Sequence, residues 1–534
     1  MPSTEQRAPR PTGPAGPSGT AGITEGNALE FLVDNEAAWG RLAGDIAAAR
    51  SSVRAMVFML DAPYVRLAFE RDPPAAVRPE VLLLEAARRG ADVRLVLNHV
   101  TPAFSPANTT WPVERFFRRH DPEGRVRVRR LRTPQTLPIH AKVIVIDDRV
   151  AYLVGSVFSQ EYFDGRRHLI EDPRRGAPRW RGALGVPVHD VSVRVEGPAV
   201  ADLDDAVRLH WEHAEPSLGT PGGTWPRPSP GPAGKTAARV TRTLAGNGRF
   251  AGRPGGETGI RDSYLRALSA AERLVYLENQ YLTCPEMVDA LVGAVRRAPD
   301  LELILLLNIR PDVPYYVGWQ REALERLLAG VGAAGRDRVG VFTLWSHETR
   351  EGDGGGGRTR ILRDHVHSKV AIVDDSWLTV GSANLDGLSL SHSQHELRRP
   401  PLIRLGRPLG AASLRGDPWQ ARASEVNLAV DGDEAGRLRR DLWAEHLGLP
   451  GGALAERPGG GWLGLWHERA RSKLDGLRAP VPAVSDVRVL PYPHRDGRLP
   501  RRSDRPRDHL RALGVDPERV EVLERAGRRP RRGR

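Results

Sequence analysis

The chain has 534 residues, 40 % of them apolar, and a formal net charge of +13. This length and apolar content predict about two to four folded domains with a sizeable core, and they exclude a chain that is disordered throughout. The basic excess favours an anionic partner, either an acidic membrane surface or nucleic acid. Because Cys284 is the only cysteine, an intramolecular disulfide and a cysteine-based metal cluster are both excluded.

The sequence also bears on location. No stretch approaches the ~20 consecutive apolar residues of a membrane-spanning helix. The first residues, Met-Pro-Ser-Thr-Glu-Gln, lack the basic head and apolar run of a secretion signal. We therefore expect a cytoplasmic protein, with peripheral contact to an anionic membrane surface as the further expectation.

The first half of the chain alternates helical and strand patterns. Residues 1–26 are rich in Pro, Gly, Ser and Thr and are predicted to be disordered. A first lobe is predicted over residues 27–215. In chain order its elements are a helix at 35–50, a strand at 53–60, a helix at 80–89 and a strand at 93–98.

The same order of elements returns after a Pro/Gly-rich linker predicted over residues 216–240. The second lobe is predicted over residues 241–450. Its elements are a helix at 261–271, a strand at 274–278, a helix at 285–297 and a strand at 301–308. The repeat predicts an α/β fold of two pseudo-twofold-related α/β/α lobes, each with a largely parallel sheet.

The remainder of the chain is predicted to be peripheral to the two lobes. Residues 451–495 form a C-terminal extension. Residues 496–534 hold 13 arginines against 7 acidic residues. We interpret this basic segment as a solvated tail in preference to a dedicated binding arm.

One motif occurs in both halves, at about residues 134–161 and 361–388. Its first copy reads His140-Ala-Lys142 and leads through four apolar residues to Asp147. Each copy predicts a β-hairpin with an Asp-Asp turn, followed by Gly-Ser at the start of a helix. The second copy contains the corresponding residues His367, Lys369, Asp374, Gly381 and Ser382.

The motif suits chemistry on a phosphate. Residues two apart in a strand share one face, so each histidine and its lysine point the same way. An imidazole can act as nucleophile or general acid, and an ammonium beside it stabilises charge on phosphate oxygens. Only four of the 79 basic residues are lysines, and the two copies contain two of them, Lys142 and Lys369. Two lobes would bring both copies around one phosphate.

The paired His-x-Lys-(x)4-Asp pattern, followed in the second copy by Gly-Ser-Ala-Asn384, resembles the signature of the phospholipase D superfamily. Other segments resemble its two-motif branch: Glu278-Asn-Gln-Tyr281, His189-Asp190-Val-Ser-Val and Leu442-Trp-Ala-Glu-His446. The resemblance covers about residues 28–450. It implies a phosphodiesterase or phosphatidyltransferase that works through a phosphohistidine and needs no cofactor.

The resemblance also implies roles for individual residues. His140 is assigned as the nucleophile and His367 as the general acid/base, with the exchange of these roles left open because the motifs are so similar. Lys142 and Lys369 are expected to hold the phosphate. Asn384 and the hydroxyls of two serines are expected to help them, these serines being Ser156 and Ser382.

Each histidine needs a carboxylate that fixes its tautomer. Asp147 and Asp374 lie seven residues past their histidines, an odd offset that faces away along a strand, so we interpret both as structural. Asp190 and Glu425 enter matching strands 50 to 58 residues past the histidines, where the family places orienting acids. In the first motif Phe158 stands where the family often has Asn, and one extra residue precedes Gly155.

No metal site is expected from the spacing of the other histidines that the sequence singles out, His189, His210, His213, His392, His395 and His446.

Three functions are compatible with this resemblance. The flanking segments favour an enzyme that hydrolyses or transphosphatidylates phospholipids. A cardiolipin synthase-like phosphatidyltransferase is the near alternative, and a nuclease is the distant one. Because both motifs lie in one chain, a monomer is expected.

Overall fold

The computed structural model describes residues 21–62, 64–69, 76–101, 109–134, 138–176, 185–219, 222–246, 250, 253, 255–313, 316–350, 358–390, 423–483, 485–492 and 505–525. Within these ranges the protein is a mixed α/β structure, which confirms the predicted fold class. All eight helices and strands predicted for the two halves are present, with ends that differ by a few residues at most.

The first half contains eleven strands and four helices in the described ranges. The strands are β1 (Thr24–Val33), β2 (Ser52–Val57), β3 (Ala68–Phe69), β4 (Ala76–Val77), β5 (Asp92–Thr101), β6 (Val126–Pro134), β7 (Val143–Ile146), β8 (Val150–Leu153), β9 (Val188–His189), β10 (Val191–Glu196) and β11 (Glu215–Leu218). The helices are α1 (Asn35–Ala48), α2 (Pro79–Arg88), α3 (Thr110–His120) and α4 (Ala199–His213).

The rest of the chain adds twelve strands and six helices in the described ranges. The strands are β12 (Thr236–Leu244), β13 (Glu257–Thr258), β14 (Leu274–Asn279), β15 (Glu302–Leu307), β16 (Val339–Arg350), β17 (Arg358–Arg363), β18 (His365–Val366), β19 (Lys369–Val373), β20 (Trp377–Gly381), β21 (Glu425–Asp431), β22 (Val489–Pro491) and β23 (Glu521–Leu523). The helices are α5 (Gly259–Ala270), α6 (Pro285–Arg297), α7 (Tyr316–Arg336), α8 (Glu434–Leu447), α9 (Gly461–Arg478) and α10 (Pro506–Ala512).

The two halves repeat one strand order. In the first half the order is β1-β10-β8-β7-β2-β5-β6. In the second it is β12-β21-β20-β19-β14-β15-β16. The two orders join where β1 pairs antiparallel with β12. Within these two orders, the parallel strands are β2-β5-β6 and β14-β15-β16, and the other pairs are antiparallel. The expectation of a largely parallel sheet is therefore wrong, because each motif hairpin returns directly and needs no crossover helix.

Helices cover the sheets in layers. A central hydrophobic cluster contains inward-facing residues of both halves together with α4 and α8, for example Val207 and Leu442. A second cluster packs α1, α2 and α3 on the outer face of the first half, and a third packs α5, α6 and α7 on the outer face of the second. Because the strands are covered on both faces, their side chains are buried along nearly the whole length, as in β14.

Several predicted boundaries are corrected by the strands. β1 begins at Thr24, inside the segment predicted to be disordered, and residues 1–20 lie outside the described ranges. The predicted linker contains most of β11 and the first part of β12, because both ends extend sheets. The predicted basic tail contributes α10 and β23, which pairs with β17. In the described part of the chain, no helix is both long and apolar enough to cross a bilayer.

Candidate active site

The open end of each motif hairpin, where its histidine lies, is at the carboxyl end of a central parallel strand. β7 runs antiparallel to β2 with Val143 opposite Met56, and β19 runs antiparallel to β14 with Lys369 opposite Asn279. His140 and His367 come just before these hairpin strands. Ligand sites of α/β proteins lie at this edge of the sheet.

The Asp-Asp turns are present in both hairpins. Asp147 and Asp148 have φ of 53° and 55°, and Asp374 and Asp375 both have φ of 53°. Two successive residues with positive φ form the turn that matches the twist of a two-stranded hairpin, and aspartate tolerates this conformation. The described residues that follow Gly-Ser contain no α-helix of the kind expected: a short 3₁₀ turn at Gln160–Tyr162 follows the first copy, and residues 382–390 after the second contain bends, turns and one β-bridge.

The first aspartate of each turn binds backbone N–H groups, which agrees with the structural role predicted for it. The Asp147 carboxylate accepts N–H groups of residues 50, 51 and 52, at 2.7 to 3.0 Å. The Asp374 carboxylate accepts those of residues 272, 273 and 274, each at 2.8 Å. Burial acts to raise the pKa of Asp147, but the N–H donors outweigh it and hold this pKa below its usual value. Both carboxylates therefore fasten a hairpin to the start of its neighbouring parallel strand.

The imidazole of His140 is held by a carboxylate from the other half of the chain. Its Nδ1 lies 3.0 Å from both carboxylate oxygens of Glu425, the first residue of β21. The backbone N–H of His140 donates to the carbonyl of Ser424 at 2.9 Å. Among the described residues only Nδ1 of this ring is hydrogen-bonded, which leaves Nε2 to face a substrate.

His367 mirrors this arrangement. Its Nδ1 lies 2.8 Å from Oδ2 of Asp190, and its backbone N–H donates to the carbonyl of His189 at 2.7 Å. Asp190 and Glu425, which the sequence singled out as orienting acids, thus each serve the histidine of the opposite half. This exchange requires the two motifs to lie next to each other in the folded chain.

The two motif lysines are buried beside the histidines. Lys142 Nζ donates to the carbonyl of Gly155 at 3.1 Å, and Lys369 Nζ donates to Oε1 of Gln280 at 3.3 Å. Burial lowers the pKa of Lys142 to about 8 and that of Lys369 to about 7, against the opposing effect of the nearby carboxylates. A buried ammonium that awaits an anion has this property, because the phosphate supplies the missing negative charge.

The electrostatics show that the two motifs share one environment. Burial lowers the pKa of both histidines. Lys142 and Lys369 lower the pKa of each ring further, while the carboxylates of Glu425 and Asp190 oppose them. Each lysine therefore acts on the histidine of the other half as well as on its own. Two imidazoles and two ammonium groups at one place can bind and cleave a phosphodiester.

The two motif serines are placed differently from our expectation. Ser156 donates its hydroxyl to Oδ2 of Asp190, and Ser382 donates its hydroxyl to Oε2 of Glu425 at 2.5 Å. A hydroxyl has one proton, so these serines hold the orienting carboxylates and do not donate to phosphate. Asn384 stays a candidate for phosphate contact, because it is buried and its side-chain amide carries N–H groups that can donate to phosphate oxygens.

The two differences between the first motif and the family pattern, Phe158 in place of Asn and the extra residue before Gly155, can be located in the structure. Phe158 packs into the core against Trp39, with ring centroids 5.8 Å apart. Gly155 leaves room for the orienting acid, because a Cβ there would lie 2.1 Å from Oδ1 of Asp190. The extra residue before Gly155 is Val154, whose N–H donates to the carbonyl of Lys142 and extends the hairpin by one position.

Sequence reasoning missed two groups of residues. The first lines the site: the Tyr162 ring lies 5.1 Å from the His367 ring, the Phe58 ring lies 5.5 Å from the His140 ring, and Gln280 contacts Lys369. Gln280 was recognisable, since it belongs to the Glu-Asn-Gln-Tyr segment at a strand end. The second group is a buried cluster of histidines and carboxylates around His189, whose members are too far apart in the chain for any spacing to show it.

Comparisons with known proteins find relatives of this chain. The family described as "Cardiolipin synthase, PLD-like domain" matches residues 264–397. Cardiolipin synthase B of Salmonella typhi is 28 % identical over 378 residues, which are 69 % of this chain and 75 % of that protein. Phospholipase D A of Dictyostelium discoideum is 23 % identical over 378 residues, which are 60 % of this chain and 28 % of that protein.

Among solved structures, phosphatidylserine synthase of Haemophilus influenzae covers 77 % of this chain and 84 % of its own, at 12 % identity and a TM-score of 0.44. The sequence similarity to cardiolipin synthase B extends over more than half of this chain and therefore includes parts of both halves. The family match covers the second motif, which contains His367 and Lys369. The chain is thus similar to proteins of the phospholipase D superfamily, to cardiolipin synthase B over 69 % of its length and to the PLD-like domain family over its second motif.

Proposed function

We propose that the protein transfers phosphatidyl groups from a phospholipid to an alcohol through a phosphohistidine, with water as a competing acceptor. The observation that carries this proposal is the exchanged pairing of His140 with Glu425 and of His367 with Asp190, beside two buried lysines. Each imidazole has Nδ1 fixed by a carboxylate and Nε2 available, as a nucleophile and an acid/base on opposite sides of one phosphorus require.

The reaction has two steps. In the first, Nε2 of His140 attacks phosphorus, the bond from phosphorus to the leaving alcohol oxygen breaks, and His367 gives that oxygen a proton. In the second, His367 takes the proton of the acceptor alcohol, whose oxygen attacks phosphorus and breaks the phosphorus–nitrogen bond. The ammonium groups of Lys142 and Lys369 compensate the charge on the non-bridging oxygens in both steps. One chain supplies every group, so the proposed unit is a monomer.

Transfer is favoured over hydrolysis by two observations. The relatives that match over most of their length are named cardiolipin synthases. The side chains of His140 and His367 are only 15 % and 3 % exposed, so bulk water has limited access to the phosphohistidine. The net charge of +13 would draw the protein to anionic lipid by long-range attraction.

A three-way substrate assay tests this proposal. The purified chain is incubated with phosphatidylglycerol vesicles, with the same vesicles plus ethanol, and with supercoiled plasmid. We expect cardiolipin and free glycerol from the first and phosphatidylethanol from the second, while the plasmid stays intact. The His140→Asn variant is the matched control and should form none of these products.

The products separate the alternatives. Phosphatidic acid as the only lipid product, with or without ethanol, would identify a hydrolase and overturn the transferase. Nicked plasmid with unchanged lipid would identify a nuclease, the remaining use of a strongly basic chain. The same vesicles in a flotation assay, with neutral phosphatidylcholine vesicles beside them, measure whether the charge directs membrane binding.

A further inference from the structure

A buried cluster next to the active site brings together four side chains from distant parts of the chain. Asp34 follows β1, His168 lies in the loop after the first motif, His189 ends β9, and Glu445 belongs to α8. One ligand atom from each lies within 4.8 Å of those of the other three. We propose that these four residues bind a divalent transition-metal ion, with zinc as the favoured ion, and that this ion ties the two halves together.

The distances between the four groups fit a metal site. His168 Nε2 lies 3.0 Å from Glu445 Oε1 and 3.4 Å from Asp34 Oδ2. His189 Nδ1 lies 3.1 Å from Asp34 Oδ1 and 3.4 Å from Glu445 Oε1. Ligand atoms held about 2.0–2.2 Å from a tetrahedral zinc are separated from each other by about 3.3–3.6 Å. Two imidazoles and two carboxylates are a ligand set that zinc accepts.

Hydrogen bonding accounts for only part of the cluster, through the contact of His168 Nε2 with Glu445 Oε1 at 3.0 Å. His189 Nδ1, Asp34 Oδ2 and Glu445 Oε2 are all buried and have no hydrogen-bond partner among the described residues. His189 Nδ1 is near two carboxylates, yet neither contact has the alignment of a hydrogen bond. Buried polar atoms in native proteins are nearly always satisfied. An ion at the centre of the cluster would satisfy buried atoms that hydrogen bonds leave without a partner.

A second layer of carboxylates completes the arrangement. His168 Nδ1 lies 3.2 Å from Asp164 Oδ2, and His189 Nε2 lies 3.0 Å from Glu278 Oε1. Each ring thus turns one nitrogen to an outer carboxylate and the other to the centre of the cluster. Histidine ligands of metals have this same pattern, since the outer carboxylate fixes the tautomer and raises the basicity of the ligating nitrogen.

The backbone is strained at the same place. Six residues other than glycine have positive φ in the described ranges, and four of them are the turn aspartates. The other two are Asp34, with φ of 63°, and His168, with φ of 43°. Such conformations persist where surrounding interactions hold them. A metal–ligand bond to each residue supplies that interaction.

The ion would also position the catalytic machinery. Asp34 Oδ1 accepts the backbone N–H of Asp190 at 3.2 Å, and the Asp34 N–H donates to the Asp190 carbonyl at 2.8 Å. Asp190 in turn orients His367. Glu445 comes from the second half, so the ion joins that half to the backbone that carries the orienting acid. His168 and the neighbouring Asp164 also line a cavity of about 690 Å³.

The alternative is a network of protonated imidazoles without an ion. In the absence of a metal, the surrounding carboxylates outweigh burial and raise the pKa of His168 to about 10, so both rings could pair with acids as cations. The two arrangements differ in one property: only the metal site holds an ion in stoichiometric amount.

Metal analysis of the full chain, purified without added chelator, tests the proposal. We expect about one zinc per chain by plasma mass spectrometry. His168→Gln and Glu445→Gln should each lose the ion, and His120→Gln, which removes an exposed histidine of α3, should retain it. Cobalt added to the stripped wild-type chain should give the intense visible absorption of a tetrahedral site.

A stability measurement keeps the test decisive if the variants fold poorly. Removal of the ion from the wild-type chain by dipicolinate should lower the Tm, and equimolar zinc should restore it. A wild-type chain that contains no stoichiometric metal, takes up no zinc, manganese or iron, and gives no cobalt absorption would overturn the proposal in favour of the protonated network. None of these readouts depends on lipid activity.

Discussion

The two half-sites have the same construction but different contents. Register places Asp190 and Glu425 at equivalent positions, because Val193 lies opposite Leu153 in the first half as Leu428 lies opposite Val380 in the second. Each acid accepts a serine hydroxyl from its own half and holds a histidine of the other half. The Glu425 side uses both carboxylate oxygens on His140, whereas the Asp190 side uses one on His367.

This difference between the two half-sites shows how a duplicated fold can give its two histidines separate roles. His367 is the more deeply buried ring, and Lys369 Nζ lies 3.0 Å from its Nδ1. Burial and this ammonium lower the pKa of His367 well below its usual value, while Asp190 opposes them. His140 has more exposure and a carboxylate that contacts it with both oxygens. Because the acids are exchanged, neither half is a complete catalyst.

Replacement of a histidine should have the largest effect and should separate the two roles. We expect His140→Asn and His367→Asn each to lower phosphatidyl transfer by about 10⁴-fold or more, since both steps need both imidazoles. A substrate with a p-nitrophenolate leaving group needs no general acid. With it, His367→Asn should still give a burst of nitrophenol followed by slow turnover, whereas His140→Asn should give no burst.

Stopped-flow absorbance measures the burst, and acid-labile, alkali-stable labelled protein identifies the phosphohistidine. The opposite pattern, a burst in His140→Asn alone, would reverse the assignment of nucleophile and acid. Normal activity of either variant would contradict a site shared by the two halves.

Replacement of the orienting acids Glu425 and Asp190 should have the second-largest effect on activity. Glu425→Gln and Asp190→Asn keep size and shape but remove the charge that fixes the tautomer, so we expect each to lower kcat by about 10³-fold. The exchange predicts which histidine each one disables. Glu425→Gln should lose the nitrophenol burst, as His140→Asn does, and Asp190→Asn should keep it.

Pairing within each half would give the reverse result in this assay. Ser156→Ala and Ser382→Ala are the matched weaker variants, because each removes one hydrogen bond to the carboxylate and leaves its charge. We expect losses of about 10-fold, consistent with one charge-assisted hydrogen bond.

The lysines should set the alkaline limit of activity. Lys369 and Lys142 have pKa values of about 7 and about 8 because burial disfavours their charged forms. Both are ammonium ions below these values and lose their charge as the pH rises through them. We therefore expect kcat/KM to fall between about pH 7 and 8, mainly through an increase in KM. Lys369→Arg, whose charge persists, should move this limb upward in a pH profile of kcat/KM, while a profile identical to wild type would assign the limb to another group.

The sequence predicted the repeated elements well, since alternating helix and strand patterns and the His-x-Lys copies are local signals. It also located Asp190 and Glu425 at matching strand starts. It could not show that these acids serve the opposite histidines, because that depends on how two halves pack. The sequence could not predict the cluster that contains Asp34, His168 and Glu445 either, because Asp34 and Glu445 are separated by more than 400 residues of chain.

The turn aspartates should show the smallest effect on catalysis and provide the cleanest structural comparison. Asparagine also tolerates positive φ, so Asp147→Asn and Asp374→Asn preserve the turns while they remove the charge that binds three backbone N–H groups in each half. We expect each variant to lose about 1–3 kcal/mol of unfolding free energy and to keep kcat within about twofold of wild type, because neither carboxylate contacts an imidazole. The stabilisation by Asp147 should depend on pH. Folding lowers the pKa of this carboxyl group, so its contribution to the unfolding free energy is fully present above the unfolded pKa of about 3.9. This contribution is lost as the pH falls through the pKa of the folded state. Urea unfolding at pH 7 and at pH 3 should therefore show a smaller difference between wild type and Asp147→Asn at the lower pH. A large loss of kcat in either variant would place these carboxylates in the chemistry and contradict their structural role.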